Sequence, residues 1–398
     1  MMETAPNGGK NEMDVVRPPH AGGRAFRRKA FLFQINVTRN CNLRCAHCYI
    51  ASSVKSKSGR LSVEQFLKIV GDIGAFMSGS EYTHAEIHIV GGEPTMLGAS
   101  FYHRAMSRAH GILDDAMPGI SREFILVSNL LTRELMQIAP WFDRIATSYE
   151  PETRFPRPFH ERWWLDNVHA LQNEGLDVSI TTCITRQVVE FGAAALCDRL
   201  YRDLGIRQIH FGFFIASGDG RINGSKVAPG YLDTSKFLVD SADWYVERRE
   251  GDPHLYVNPA ESMLSAIDRG DALDDIVCPI ISGSLDIDSN GDAMSCLQEG
   301  GEENAAWEGN VLSESVARVI SSRAFRKRRI EAARPHRICM SCDEYRVCRS
   351  GCGVNFRNWN PETEMDCPGY KTFIRHLRHL HETGVRPRHA RYTSRMAF

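Results

Sequence analysis

An alternation of apolar runs and helical patterns constrains this chain more than any other feature. Residues 31–37, 86–90, 123–127, 144–149, 177–182 and 208–214 read as strands. Helical patterns at residues 101–113, 133–141, 162–174 and 193–204 separate most of them. A further helix begins at Ser62, an N-cap position with Gln65 three residues on; Val63, Phe66, Leu67, Val70 and Ile73 then recur at helical spacing. Strands that alternate with helices imply a parallel sheet with right-handed crossovers. Six such units are too few for a conventional eight-stranded barrel, so the pattern suits an open, partial barrel of the α/β class. Ligand sites in parallel sheets gather at the carboxyl ends of the strands.

The first strand ends in Asn40-Cys41-Asn42-Leu43-Arg44-Cys45-Ala46-His47-Cys48-Tyr49. A short loop with this cysteine spacing can wrap three thiolates around a cubane iron–sulfur cluster and leave the fourth iron without a protein ligand. Half of a zinc site and three unrelated thiols are the alternatives; structural zinc normally takes four protein ligands. The second strand ends in Gly91-Gly92-Glu93-Pro94. Glycines let backbone approach a ligand closely, and a carboxylate beside them can accept hydrogen bonds from an ammonium group. Ser128-Asn129 and Ser148 stand at the next two strand ends, where such residues commonly serve only as turns.

The chain has 398 residues, enough for two domains, with 48 basic and 49 acidic side chains. That balance gives no general attraction to nucleic acid or to an anionic membrane. No run reaches the ~20 apolar residues that span a bilayer. Residues 1–28 are rich in glycine, proline and charge, without an apolar signal core, and read as a disordered tail. Twelve cysteines without a secretion signal argue against disulfides and for a cytoplasmic protein. Cys183 lies in a strand pattern and Cys197 on a helix, so both are expected in the core. The other ten fall into two groups, as metal-binding thiols do. The second group is Cys278, Cys296, Cys339, Cys342, Cys348, Cys352 and Cys367. Seven thiols are too many for one tetrahedral zinc. Residues 216–230 read as a loop, and a helix at 234–249 bridges to this second group.

Cys41-x3-Cys45-x2-Cys48, with His47 before the last cysteine, and Gly91–Pro94 resemble the signatures of the radical SAM enzymes. Gly291, Cys296 and the run Cys339-x2-Cys342-x5-Cys348-x3-Cys352 resemble the SPASM domain, an extension that carries auxiliary [4Fe–4S] clusters. The resemblance implies a partial (β/α)6 barrel at residues 29–230, a bridging segment at 231–275, a SPASM domain at 276–370 and a C-terminal helix with a basic tail at 371–398. It implies a catalytic cluster on Cys41, Cys45 and Cys48 whose open iron chelates S-adenosyl-L-methionine. Gly91, Gly92, Glu93 and Pro94 would line the S-adenosyl-L-methionine site, with Ser128 and Asn129 near the ribose and Ser148 near the methionine carboxylate. Tyr149-Glu150-Pro151 departs here from the more usual acidic residue and glycine. Cys278, Cys296 and Cys352 would hold a near auxiliary cluster, and Cys339, Cys342, Cys348 and Cys367 a distal one. Residues 272–277 lack the fourth near cysteine that some relatives have, which would leave an open iron.

The chemistry so implied is reductive cleavage of S-adenosyl-L-methionine to methionine and a 5′-deoxyadenosyl radical, which abstracts hydrogen from a substrate. A peptide maturase that crosslinks or oxidises a ribosomally made precursor is the first expectation. A sulfatase-type maturase would resemble its kind in an aspartate after Cys296, where Leu297 stands. A small-molecule alcohol dehydrogenase would often have a shortened auxiliary domain. Expected partners are a peptide, a low-potential electron donor such as flavodoxin or ferredoxin, and a separate leader-binding protein.

Overall fold

The computed structural model describes residues 29–388 except 58, 152, 156 and 272–277. The N-terminal tail, the acidic pair Asp274 and Asp275, and the end of the basic C-terminal tail lie outside the described residues. All six expected strands form: β1 (Ala30–Thr38), β2 (His84–Gly91), β3 (Ser121–Val127), β4 (Arg144–Ser148), β5 (Val178–Ile184) and β6 (Gln208–Phe213). They lie side by side in chain order and all run parallel. Four shorter strands extend them: β7 (Tyr256–Asn258), β8 (Ser284–Ile287), β9 (Asp292–Met294) and β10 (Gly309–Asn310). β7 adds to β6 in parallel, and β8 pairs in parallel with the free side of β1. β9 and β10 follow as an antiparallel extension. The sheet is open, β10 and β7 being its edges.

β1 thus lies between β2 and β8, and every residue of AFLFQINVT is buried. Its apolar run carries Phe31, Phe33, Ile35 and Val37 into the principal core. Helices cover the sheet, as parallel strands require. α1 (Ser52–Lys57) follows the first cysteine loop, and α2 (Val63–Ser78) follows it in turn. α2 begins in the capping box the sequence predicts: Ser62 accepts from the Gln65 amide at 3.1 Å, and Gln65 accepts from the Ser62 amide at 2.8 Å. α3 (Ala99–Ala116) packs on α2 so closely that a Cβ at Gly74 would stand 2.6 Å from that of Ala116. Further along come the helices α4 (Pro158–Asn173), α5 (Tyr231–Arg249), α6 (Ala260–Arg269) and α7 (Lys371–Glu382); α7 packs against α5 and α6.

Two local expectations need correction. The helix expected over 193–204 changes after Asp198 into a wider π-helical turn, Arg199–Asp203. Residues 216–230 contain two short helical turns, Gly218–Ile222 and Gly224–Val227, rather than a plain loop. Tertiary contacts explain the turn at Gly218. Glu302 accepts from the Gly218 amide at 2.9 Å, and Gly220 donates to the Cys48 carbonyl at 2.9 Å.

Candidate active site

The carboxyl ends of β1 and β2 are joined through backbone. Gly92 donates to the Thr38 carbonyl at 2.8 Å and Glu93 to that of Asn40 at 2.7 Å. A Cβ on Gly91 would stand 2.0 Å from the Thr38 oxygen, and one on Gly92 would stand 2.2 Å from that of Arg39. The close approach these glycines permit is therefore to the root of the cysteine loop, within the chain itself.

Glu93 is fully buried, and its carboxylate is held from several sides. Oε1 accepts from the Ser128 hydroxyl at 2.7 Å and from Thr95 Oγ1 at 2.5 Å; Oε2 accepts from the Asn129 amide at 2.7 Å. Burial pushes its pKa up, against these hydrogen bonds. The Asn129 side chain donates to Asn42 Oδ1 at 2.6 Å, while Asn42 reaches the Leu131 carbonyl at 2.8 Å. β3 thereby orients both the carboxylate and the beginning of the cysteine loop. Ser148 is half-buried at the end of β4, and Pro94 opens the turn Pro94–Leu97.

Cys41, Cys45 and Cys48 are half-buried and interact electrostatically with one another. Burial pushes the Cys45 thiol up to about 12, partly offset by the Arg154 guanidinium. Cys41 accepts from the Leu43 amide at 3.4 Å. Two cations that sequence reasoning missed flank the loop, Lys55 buried and Arg154 half-buried. Lys55, on α1, interacts electrostatically with Cys48 and lies 3.3 Å from Asp219. Arg154 is bonded to Glu150, which also lies 3.5 Å from His47 Nε2 and accepts from the Cys183 amide at 2.9 Å. Burial would raise the Glu150 carboxyl, but Arg154 and His47 prevail and hold it at about 2. The departure at Glu150 thus marks an ion pair against the cysteine loop. Cys197 is in the core as expected; Cys183 is half-buried, burial raises its thiol, and it interacts electrostatically with Cys48.

The loop's far half is clamped by the segment that follows Cys296. Ala51 donates to the Gly301 carbonyl at 2.9 Å, and a Cβ on Gly301 would stand 2.3 Å from the Tyr49 oxygen. Glu302 accepts from Ser217 Oγ, the Gly218 amide and Arg221. Beneath them Arg39, fully buried, donates to Asp288 at 2.7 Å and lies 3.7 Å from Asp286.

The second cysteine group divides in two. Cys278, Cys296 and Cys352 surround an apolar cavity with Ile215 and Ile280. Burial raises these thiols, Cys278 to about 11 and Cys296 to about 12. Cys339, Cys342, Cys348 and Cys367 interact with one another, and a Cβ on Gly369 would stand 3.2 Å from Cys348 Sγ and 3.7 Å from Cys367 Sγ. Gly291, at φ +88°, makes the turn between β8 and β9, and a Cβ there would stand 2.5 Å from Leu312. Among the described residues no three Cys, His, Asp or Glu side chains close around a point that could hold a single metal ion. A cubane cluster takes its thiolates on separate irons of a larger body, and sets of three and four thiols suit that donor chemistry.

Residues 35–188 match the Radical SAM superfamily. Fe-coproporphyrin III synthase of Methanosarcina barkeri is 26% identical over 190 residues, 46% of this chain and 44% of that protein, so the match spans less than half of the relative's length. In fold, the chain is similar to native anSMEcpe with bound AdoMet and Kp18Cys peptide, with a TM-score of 0.68 at 14% identity over 87% of this chain and 96% of that one. It is also similar to Streptococcus suis SuiB bound to precursor peptide SuiA, with a TM-score of 0.59 at 16% identity over 86% and 76%. A three-cysteine loop and a buried carboxylate at adjacent strand ends, within residues that match this superfamily, identify residues 35–188 as a radical SAM domain.

Proposed function

We propose that this protein is a radical SAM and SPASM oxidoreductase that modifies a ribosomally made peptide by crosslinking or oxidising a residue. The observation that carries this reading is the direct packing of the segment after Cys296 onto the loop of Cys41, Cys45 and Cys48. When bound, a [4Fe–4S] cluster and S-adenosyl-L-methionine would supply the hydrogen-abstracting radical. Cys41, Cys45 and Cys48 would hold that cluster. Glu93, buried and fixed by Ser128, Thr95 and Asn129, would accept from the ammonium group. Ser148 would stand near the carboxylate. Cys278, Cys296 and Cys352 would hold a near auxiliary cluster, and Cys339, Cys342, Cys348 and Cys367 a distal one, reached by a low-potential donor such as flavodoxin or ferredoxin.

The peptide-bound state of two similar folds supports a peptide over other substrates. A sulfatase-type reaction fits less well. Leu297 follows Cys296, and the nearby carboxylate of Glu299 is bonded to Arg328 and Arg357. A small-molecule substrate is the second reading, favoured by the sequence match to a protein named for a porphyrin.

Anaerobic co-expression with a small open reading frame encoded beside this one tests the proposal, with the peptide's accurate mass as readout. Loss of two hydrogens per event, absent with Cys41→Ala, is the expected result. An unchanged peptide alongside continued cleavage of S-adenosyl-L-methionine would put the small-molecule reading first.

A further inference from the structure

We propose that Lys55 and Asp219 form a charge pair that sets the reduction potential of the cluster held by Cys41, Cys45 and Cys48. This rests on the cluster reading given above.

Lys55 is only 2% exposed. Taking an ammonium out of water is costly unless it is paired and hydrogen-bonded. Its partner is Asp219 Oδ2 at 3.3 Å, and its charge also interacts with the thiol of Cys48. Asp219 does not need the lysine to be satisfied. The Ser52 amide donates to its Oδ1 at 2.8 Å and the Ser52 hydroxyl to its Oδ2 at 2.7 Å. Ser52 and Lys55 lie one turn apart on α1, so the helix delivers both to the same carboxylate. On the other side, Gly220 donates to the Cys48 carbonyl at 2.9 Å, which ties the segment bearing Asp219 to the cysteine itself. The ammonium is therefore held next to the Cys48 segment by backbone on both sides.

A neutral amide at position 219, bonded to Ser52, and an apolar side chain at position 55 would fill the same space without burying two charges. What the charged pair adds is a field at the sulfur. Hydrogen bonds to the sulfurs, net charge and solvent exposure set iron–sulfur potentials. Reduction adds one electron to the cluster, so a cation at Cys48 favours the reduced form and an anion opposes it. Arg154 and Glu150 form a second pair on the Cys45 side, with its own balance of charge. Lys55 and Asp219 act with opposite signs, Lys55 more strongly because its charge interacts directly with Cys48.

The test is an anaerobic redox titration, followed by electron paramagnetic resonance, of the full-length reconstituted protein. The radical SAM signal is the one missing from a variant with Cys41, Cys45 and Cys48 all replaced by alanine. Lys55→Met should disfavour reduction about tenfold, which is ~59 mV more negative for a one-electron couple. Asp219→Asn should shift the potential the other way by a smaller amount, and Lys55→Arg should stay near the wild type. General loosening of the site would move both substitutions in one direction. Equal signs, or no shift in either, overturn the proposal while the cluster reading stands. A wild-type protein with no signal dependent on the three cysteines overturns both. If Lys55→Met loses its iron, Asp219→Asn decides alone: a less negative potential supports the pair, and an unchanged one overturns it.

Discussion

The amide of Ala51 donates to the carbonyl of Gly301 at 2.9 Å, a bond between residues 250 positions apart in the chain. It fastens the end of the first cysteine loop to the segment that leaves Cys296. The contact needs a glycine, because a Cβ at 301 would stand 2.3 Å from the Tyr49 oxygen and 2.8 Å from Ile50 Cα.

Gly301→Ala is therefore expected to force the two segments apart, at a cost of ~1–3 kcal/mol. Cleavage of S-adenosyl-L-methionine should fall with it. Gly111→Ala is the contrasting case: this glycine lies inside α3 with nothing within 4 Å of its added Cβ. There the substitution should stabilise the protein by ~0.5–1 kcal/mol. Chemical denaturation of the two variants measures both signs.

Ser128→Ala tests the support of Glu93. The Ser128 hydroxyl donates to Glu93 at 2.7 Å and accepts from the Leu130 amide at 3.0 Å, so its one proton is committed to the carboxylate. A hydrogen bond to a charged group contributes ~1.5–3 kcal/mol. We expect affinity for S-adenosyl-L-methionine to drop about tenfold or more, with iron content unchanged. Equilibrium binding by the reconstituted protein measures it. Unchanged affinity would mean that Thr95 and Asn129 alone hold the carboxylate.

The legible parts of this protein are those with a periodic or spaced signal. β1 to β6 announce themselves as apolar runs, and the Ser62 capping box places α2 to the residue. β7 to β10 are two to four residues long, too short for an alternating pattern to register. The cysteines are visible by spacing, but their neighbours are not. Lys55 reads as an ordinary surface lysine in SSVKSK until Asp219, 164 residues away, is brought against it. Glu150 shows only as a deviation, and its partner Arg154 gains meaning from the burial of that carboxylate. The turn at Gly218 has the composition of a loop; Glu302 and the Cys48 carbonyl make it helical.

Asp286 gives the first pH prediction. It is fully buried, accepting from Gln34 at 3.0 Å and Asn36 at 2.6 Å, and burial raises it from 3.8 to about 6 despite Arg39. Between those values the folded protein keeps a proton that the unfolded chain releases. Stability from this group therefore falls as pH rises through the window. Asp286→Asn should remove that slope, seen as a flatter dependence of unfolding free energy on pH between about 4 and 6.

Glu150 gives the opposite slope. Its carboxyl is held at about 2 instead of 4.5, because Arg154 and His47 outweigh the burial that would raise it. Between these values the unfolded chain binds the proton and the folded protein does not. The contribution is complete above the unfolded value and is lost as pH falls towards 2. Glu150→Gln should abolish this acid-side loss. It should also destabilise at neutral pH by ~1–3 kcal/mol, because the half-buried Arg154 is left beside Cys45 without its anion. The double variant Glu150→Gln, Arg154→Met removes both charges and should recover much of that loss. Unfolding curves of the three proteins at pH 7 decide the matter: equal stability of the single and double variants would mean that the lone guanidinium reaches water instead.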